Sequence, residues 1–299
     1  MHAYLQPWYT RSAKKEVEIL ARSVLKKLCS CFGILLCAIS CFPAFLLLVG
    51  SITGNRELAV SLTGVFREQG TSCFPLLPAF PTLQGWLEML LDTPEFYAVF
   101  FQSVKLTASI VAGQLLVSVP AAWGFSRWHG KASSLLFYLY TILMLLPFQV
   151  TMLPNYIVID RLGLMDSLGA VVLPAVFSTF PVFLVYRYFL GIPEEIFEAY
   201  SLDSSSRFGL FWHMGVPLAL PGIKAAALLG IIEYWNLLEQ PMLFLKTPSL
   251  WPFSICLPEV WEGNVQYVSV FSFFVLVPAC LITAAGRKEL QKGIGTIVR

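Results

Sequence analysis

Charge is what this 299-residue sequence has least of: Asp, Glu, Lys and Arg make up 13% of it, against about a quarter of a soluble domain. With a mean hydropathy of +0.72, that deficit excludes an ordinary soluble protein, because a large soluble core would still need a charged surface. The net charge of +2 points to no nucleic-acid partner. Metal-ligand spacing is missing as well. Seven cysteines contain no CxxC pair, and the three histidines, His2, His129 and His213, lie far apart, so no metal site is expected. Strict alternation is absent from the apolar runs, which argues against membrane strands. A phosphate loop is absent too. The nearest approach, "GFSRWHGK" from Gly124 to Lys131, is one residue too long, and Ala132 follows where Ser or Thr is required. No His/Asp/Glu or Ser/His constellation suggests a membrane-embedded enzyme.

What the sequence has in quantity is long apolar runs. Six of them, at 28–52, 96–123, 132–156, 168–190, 218–245 and 265–285, reach the ~20 residues that span a ~30 Å hydrocarbon core. The expected fold is therefore an all-α integral membrane protein of six transmembrane helices. Basic residues set its direction. Lys14, Lys15, Arg22, Lys26 and Lys27 precede the first run, Arg127 and Lys131 follow the second, and Arg287, Lys288, Lys292 and Arg299 follow the last. The opposite side carries only Arg56, Arg67, Arg161 and Lys246. The positive-inside rule then puts both termini in the cytoplasm. Four regions follow: a cytoplasmic segment 1–27, a first helix with an extracytoplasmic segment 28–95, a core of five helices 96–286, and a tail 287–299. Val17, Leu20, Val24 and Leu28 recur at helical spacing among basic residues, as in an interfacial helix; a solvated tail fits equally. Short helices are expected between Thr53 and Pro94. Pro43, Pro120, Pro147, Pro154, Pro174, Pro181 and Pro278 imply kinked, packed helices, and the cysteines within the runs act as small hydrophobes.

One stretch breaks this pattern. "EAYSLDSSSRFGLFWHMGVPLALPG", Glu198 to Gly222, is polar and aromatic and lies between two runs on the cytoplasmic side. Pro193, Glu194 and Glu195 are helix-start signals, and Ile196, Phe197 and Tyr200 share a face. Asp203 and the serines after it offer cap and turn oxygens. A second short helix brings Phe208, Phe211 and Trp212 together. The loop at 191–217 thus reads as two short helices with an aromatic surface, either an interface or a loop folded under its own bundle.

Glu198-Ala199, Asp203, Phe211 and Val216-Pro217 resemble the EAA loop of bacterial ABC-importer permeases. "RLGLMDSLGAVVLP", "YRYFLGIPEEIFEAY" and "YWNLLEQPMLFL" resemble the carbohydrate-uptake branch, of the maltose-transporter kind, from about Phe96 onward. Tyr200 stands where the family has a second Ala, and Ser204 where it has Gly. The resemblance implies a type I importer permease in the inner membrane of a bacterium, itself not an enzyme and binding no cofactor. It implies a cytoplasmic ATPase dimer that carries ATP and Mg, a second permease subunit in a heterodimer, an extracytoplasmic solute-binding protein, and lipid around the helices. Glu198, Ala199, Tyr200, Asp203, Ser204, Phe208, Phe211 and Pro217 would couple to the ATPase. If Ser204 turns without positive φ, Asp203 or Ser205 caps the second helix. A secondary transporter driven by an ion gradient is the alternative function.

Ionisable residues inside spans are functional candidates. Lys105 can pair with Glu233 or Glu239 in a structural role. Alternatively, Trp235, Asn236, Glu239 and Gln240 line a substrate pathway, offering planar hydrogen-bonding groups beside an aromatic face as a sugar requires.

Overall fold

The computed structural model describes residues 6–62, 74–128, 130–203, 206–259 and 264–297. Among them helix dominates, and the one extended pairing is an isolated bridge between Thr53 and Pro81. The first helix, α1, is Gln6–Ile52. α2 (Asn55–Ser61) and α3 (Gln84–Leu87, continued by a π turn at Glu88–Asp92) follow it. The core comprises α4 (Pro94–Arg127), α5 (Lys131–Met144), α6 (Phe148–Arg161), α7 (Leu168–Val176) and α8 (Thr179–Leu190). Next come α9 (Glu194–Asp203), α10 (Arg207–Leu210), α11 (Val216–Trp235), α12 (Glu239–Phe244), α13 (Phe253–Glu259) and α14 (Val265–Ile297). Among the described residues five stretches are long and apolar enough to cross a membrane, or six when the bent pair α5 and α6 is counted as one broken span.

The breaks fall where the backbone chemistry requires them. α5 and α6 meet at 103° around Pro147, which cannot donate to the helix ladder and pushes Leu146 away from helical backbone. The span at 168–190 is also broken, at Phe177 and Ser178. Pro174 lies inside its first half and Pro181 in the first turn of its second, where a missing N–H is tolerated. The expected run 218–245 ends as a helix at Trp235. Pro241 cannot extend it, and sits instead in the first turn of the short α12.

α1 carries the basic N-terminal stretch into span one without a break. At ~1.5 Å per residue, its 47 residues run roughly 70 Å, more than twice the hydrocarbon thickness. Leu28, Phe32, Ile34, Leu35 and Ile39 along it are exposed, whereas Val49 and Ser51 at its far end are buried, where it packs on α14. Cys29, Cys31, Cys37, Cys41 and Cys280 are exposed free thiols and Cys256 is half-buried; Cys73 lies outside the described residues.

The core is continuous along α4, α8, α11 and α14. At one end Val119, Ala122, Val182, Val185, Tyr188 and Ala219 pack together. At the other, Met89, Phe96, Trp235, Phe253 and Phe271 form an aromatic cluster. Gly222 lets α11 press on α8: a Cβ there would lie 2.3 Å from the Tyr188 ring. Small residues at helix contacts gain packing that lipid cannot supply. Gln114, buried in the centre of α4, donates through Nε2 to the Ala175 carbonyl at 2.8 Å and to the Tyr234 hydroxyl oxygen at 2.9 Å. At the break after α7 the Ala175 carbonyl accepts from the Ser178 N–H at 3.1 Å, and Gln114 adds a second donor to it inside the apolar bundle.

Candidate functional site

Two regions combine polar and aromatic groups: the surface at 191–217 and a cavity at the helix breaks. At the surface, α9 starts with Glu194, whose carboxylate accepts from Arg127 Nη1 at 2.6 Å. The Arg127 guanidinium lies 4.6 Å over the Phe197 ring and 5.5 Å over Trp123, a cation–π arrangement. Trp123 packs edge-on to Phe189 and Phe197 at 5.2 and 5.4 Å and tilted to Phe211 at 5.6 Å. Phe197 is only 2% exposed. Phe197 and Phe211, expected in an outward aromatic surface, therefore anchor the loop to the bundle instead. The reason is their phase: both sit on the side of their helical turns that meets Trp123.

The outward face is formed by other residues. Leu202 is 90% exposed, Phe208 74% and Trp212 57%, and the Phe208 and Trp212 rings are parallel within 4° at 6.5 Å. Glu198, Ala199 and Pro217 are exposed beside them and Tyr200 is half-buried. The cap of the second short helix is Ser206, whose Oγ accepts from the Gly209 N–H at 3.0 Å, rather than Asp203 or Ser205. Serine at an N-cap satisfies a donor with no helical partner. Gly209 permits close approach of the two helices, since a Cβ there would sit 3.0 Å from the Tyr200 hydroxyl. Asp203 ends α9; Ser204 and its turn lie outside the described residues.

The cavity, about 720 Å³, opens between the α5–α6 elbow, the α7–α8 break and the end of α11. Thr151, Asn155, Ser178, Thr179, Glu233 and Gln240 give it polar lining among leucines and phenylalanines. Gln240 Oε1 is buried and has no hydrogen-bond partner among the described residues. A lone buried acceptor of this kind is costly unless a ligand or water meets it.

The four residues expected to line a pathway divide. Gln240 faces the cavity. Trp235 does not: it is buried in the aromatic cluster, where its Nε1 donates to the Val275 carbonyl at 2.8 Å. Asn236 caps α11 and is exposed outside the cavity lining. Glu239 is exposed and accepts from Gln149 Nε2 at 3.4 Å. The helix ends at Trp235, so one helical face does not continue from Trp235 to Gln240. The Lys105 pair does not form either. Lys105 is exposed on α4, and the ion pair among the described residues is Arg127 with Glu194. Thr151, Asn155 and Ser178 were not singled out in the sequence; their one signal is proximity to the prolines that break their helices.

A third feature ties the loop after α6 to the segment after α12. Asp166 adopts φ 57°, which Asp tolerates better than most residues. Its Oδ1 accepts from the Lys246 and Thr247 N–H groups, each at 2.8 Å, and its Oδ2 from the Thr247 hydroxyl at 2.5 Å. The Thr247 hydroxyl first, then these N–H groups, hold the carboxyl below its usual range.

No protein-family model matches the chain. Protein LplC of Bacillus subtilis (strain 168) is 28% identical over 223 residues, 75% of this chain and 71% of that protein. The arabinooligosaccharides transport system permease protein AraQ of the same organism is 25% identical over 276 residues, 91% of this chain and 95% of that protein. Among solved structures, a chain from a bacterial ABC transporter involved in import of the acidic polysaccharide alginate matches with a TM-score of 0.74 and 19% identity. The match covers 92% of this chain and 97% of that one. The all-α fold is thus that of the matched chain of an ABC transporter, and AraQ is by its name a permease of an arabinooligosaccharide transport system.

Proposed function

We propose that this chain, similar in sequence to carbohydrate-importer permeases, is the transmembrane permease subunit of an ATP-driven, binding-protein-dependent sugar importer. The observation that carries the reading is the outward set Leu202, Phe208 and Trp212 on helices braced from behind by Trp123, Phe197 and Arg127. Exposed apolar side chains on a rigid support fit a protein groove. A cytoplasmic ATPase, holding ATP and Mg, docks there, with Glu198, Ala199, Tyr200, Asp203 and Pro217 around the contact. Both termini are cytoplasmic in this reading, and the membrane is the bacterial inner membrane. A second, different permease completes the translocation path and an extracytoplasmic solute-binding protein delivers substrate. Alternating access exposes the cavity at Asn155, Glu233 and Gln240, whose carboxylate and amide groups match a polyhydroxylated solute.

The test is co-expression with ATPase, permease and binding-protein candidates encoded beside this gene, followed by reconstitution. Uptake should require ATP and all components, and the pure chain should not hydrolyse ATP. Uptake by this chain alone, abolished by an uncoupler, would instead establish a secondary transporter.

A further inference from the structure

A second cavity, about 420 Å³, lies between the end of α4, the start of α5 and the end of α8. It is separate from the polar cavity and from the 191–217 surface described above. Its inner wall is aromatic: Phe137 stacks on Phe183 at 6.3 Å and lies 4.0 Å from the Tyr186 ring. Trp128 and Tyr138 line it and are exposed, and such residues concentrate at headgroup depth. Arg187 lines it and is exposed, with no ion pair among the described residues. No carboxylate is among its lining residues.

The start of α5 adds donors. Gly130 gives that 14-residue helix no side-chain cap. The Ser134 N–H turns back to the Gly130 carbonyl, so the N–H groups of Lys131, Ala132 and Ser133 have no helical acceptor. Ser133 lines the cavity and is 3% exposed, yet its hydroxyl makes no hydrogen bond among the described residues. A hydroxyl that opens into the cavity, next to N–H groups without a helical acceptor and a guanidinium with no ion pair among the described residues, is an acceptor-seeking site.

We propose that this cavity binds the phosphate headgroup of an anionic phospholipid. The phosphate accepts from Arg187, Ser133 Oγ and the first N–H groups of α5, while the start of an acyl chain lies along Phe137, Phe183 and Leu190. The location supports a lipid over a free ion. The site is at the ends of helices long and apolar enough to cross a membrane, beside the exposed Trp128, Tyr138 and Leu190, and its apolar wall offers an inorganic ion nothing. Net negative charge is required because a zwitterionic headgroup would bring its own cation beside an uncompensated guanidinium. The inference needs only that α5 and α8 lie in a bilayer, and does not depend on the transport reading.

The experiment is native mass spectrometry of the full, delipidated chain offered equal amounts of phosphatidylglycerol and phosphatidylcholine. The wild-type chain should retain several-fold more phosphatidylglycerol. Arg187→Gln should reduce that retention by about tenfold, in line with loss of a charge-assisted hydrogen bond. Arg187→Lys should fall between them, Ser133→Ala should reduce retention by a smaller factor, and Arg56→Gln should leave it unchanged. Equal retention of the two lipids by the wild-type chain overturns the proposal, and that measurement stands even if a variant fails to fold. Retention unchanged in a folded Arg187→Gln chain overturns it too. So does displacement of the phosphatidylglycerol by millimolar inorganic phosphate, which would make the site one for a free anion.

Discussion

The 191–217 surface and the polar cavity place opposite chemistry in opposite surroundings. At the surface, large apolar groups such as Phe208 and Trp212 are exposed, while the polar groups behind them are satisfied: Arg127 by Glu194 and Ser206 by Gly209. In the cavity the surroundings are largely apolar and one polar atom is left over: Thr151 donates to the Phe148 carbonyl, but Gln240 Oε1 is buried with no hydrogen-bond partner among the described residues. Unsatisfied apolar area calls for a protein with a matching groove, and unsatisfied hydrogen-bonding groups call for a polar ligand. One chain thus carries two kinds of incompleteness, and each identifies its own class of partner.

Mutations that confuse the two roles test the comparison most severely. Phe197→Ala should have the largest effect, because it removes a buried ring and the stack under Arg127. The expected cost is about 3–5 kcal/mol of local stability, read as loss of ATPase co-purification together with increased proteolysis of 191–217. The double change Phe208→Ala/Trp212→Ala should leave proteolysis unchanged, since both rings are outside the core. It should weaken ATPase docking by roughly 2 kcal/mol, about 30-fold, measured as co-purification and uptake. If its proteolysis also rises, the outward rings are structural and the distinction fails.

In the cavity, Gln240→Leu should reduce uptake several-fold while ATPase docking stays intact, because on the proposed reading it removes an acceptor that the solute would meet. Glu233→Gln should act in the same direction. Loss of docking in either variant would mean that the cavity residues support the bundle rather than the solute.

The smallest effect concerns Asp166, whose carboxyl is held below its usual range by Thr247 and by the Lys246 N–H. A depressed folded pKa contributes stability that is present above the unfolded value of about 3.9 and is lost as pH falls through the folded value. Hydrogen exchange at Lys246 and Thr247 should therefore quicken only in strong acid. In Asp166→Asn, which retains tolerance for positive φ, it should be faster at neutral pH and respond little to acid. Identical profiles for the two chains would show that the hydroxyl and N–H contacts do not depend on the charge.

Much of this was legible in the sequence, for identifiable reasons. Span positions follow from the length of apolar runs, and the loop helices from Pro193 with its following acids and from the serines before Arg207. Side-chain direction was less legible. Phe197, Phe208, Phe211 and Trp212 are alike in composition, and only packing against Trp123 separates anchors from outward groups. Lys105 and Glu233 were plausible partners by depth, yet depth along a helix says nothing of which way each side chain faces.

The sequence by itself determined that the chain is helical and belongs in a membrane, because hydrophobic length and scarce charge are local quantities that no folding can change. It also marked where helices can break, since proline acts on its own backbone and on the residue before it; the bundle decided which prolines do so, because Pro43, Pro120 and Pro278 lie inside continuous helices. Only the tertiary structure decided which polar groups are satisfied. Gln114 meets Ala175 and Tyr234 across residues far apart in the chain, Asp166 meets Thr247, and Gln240 Oε1 meets no hydrogen-bond donor among the described residues. Hydrogen bonds of that kind depend on distances of a few ångströms between separate helices, which the order of residues alone does not specify.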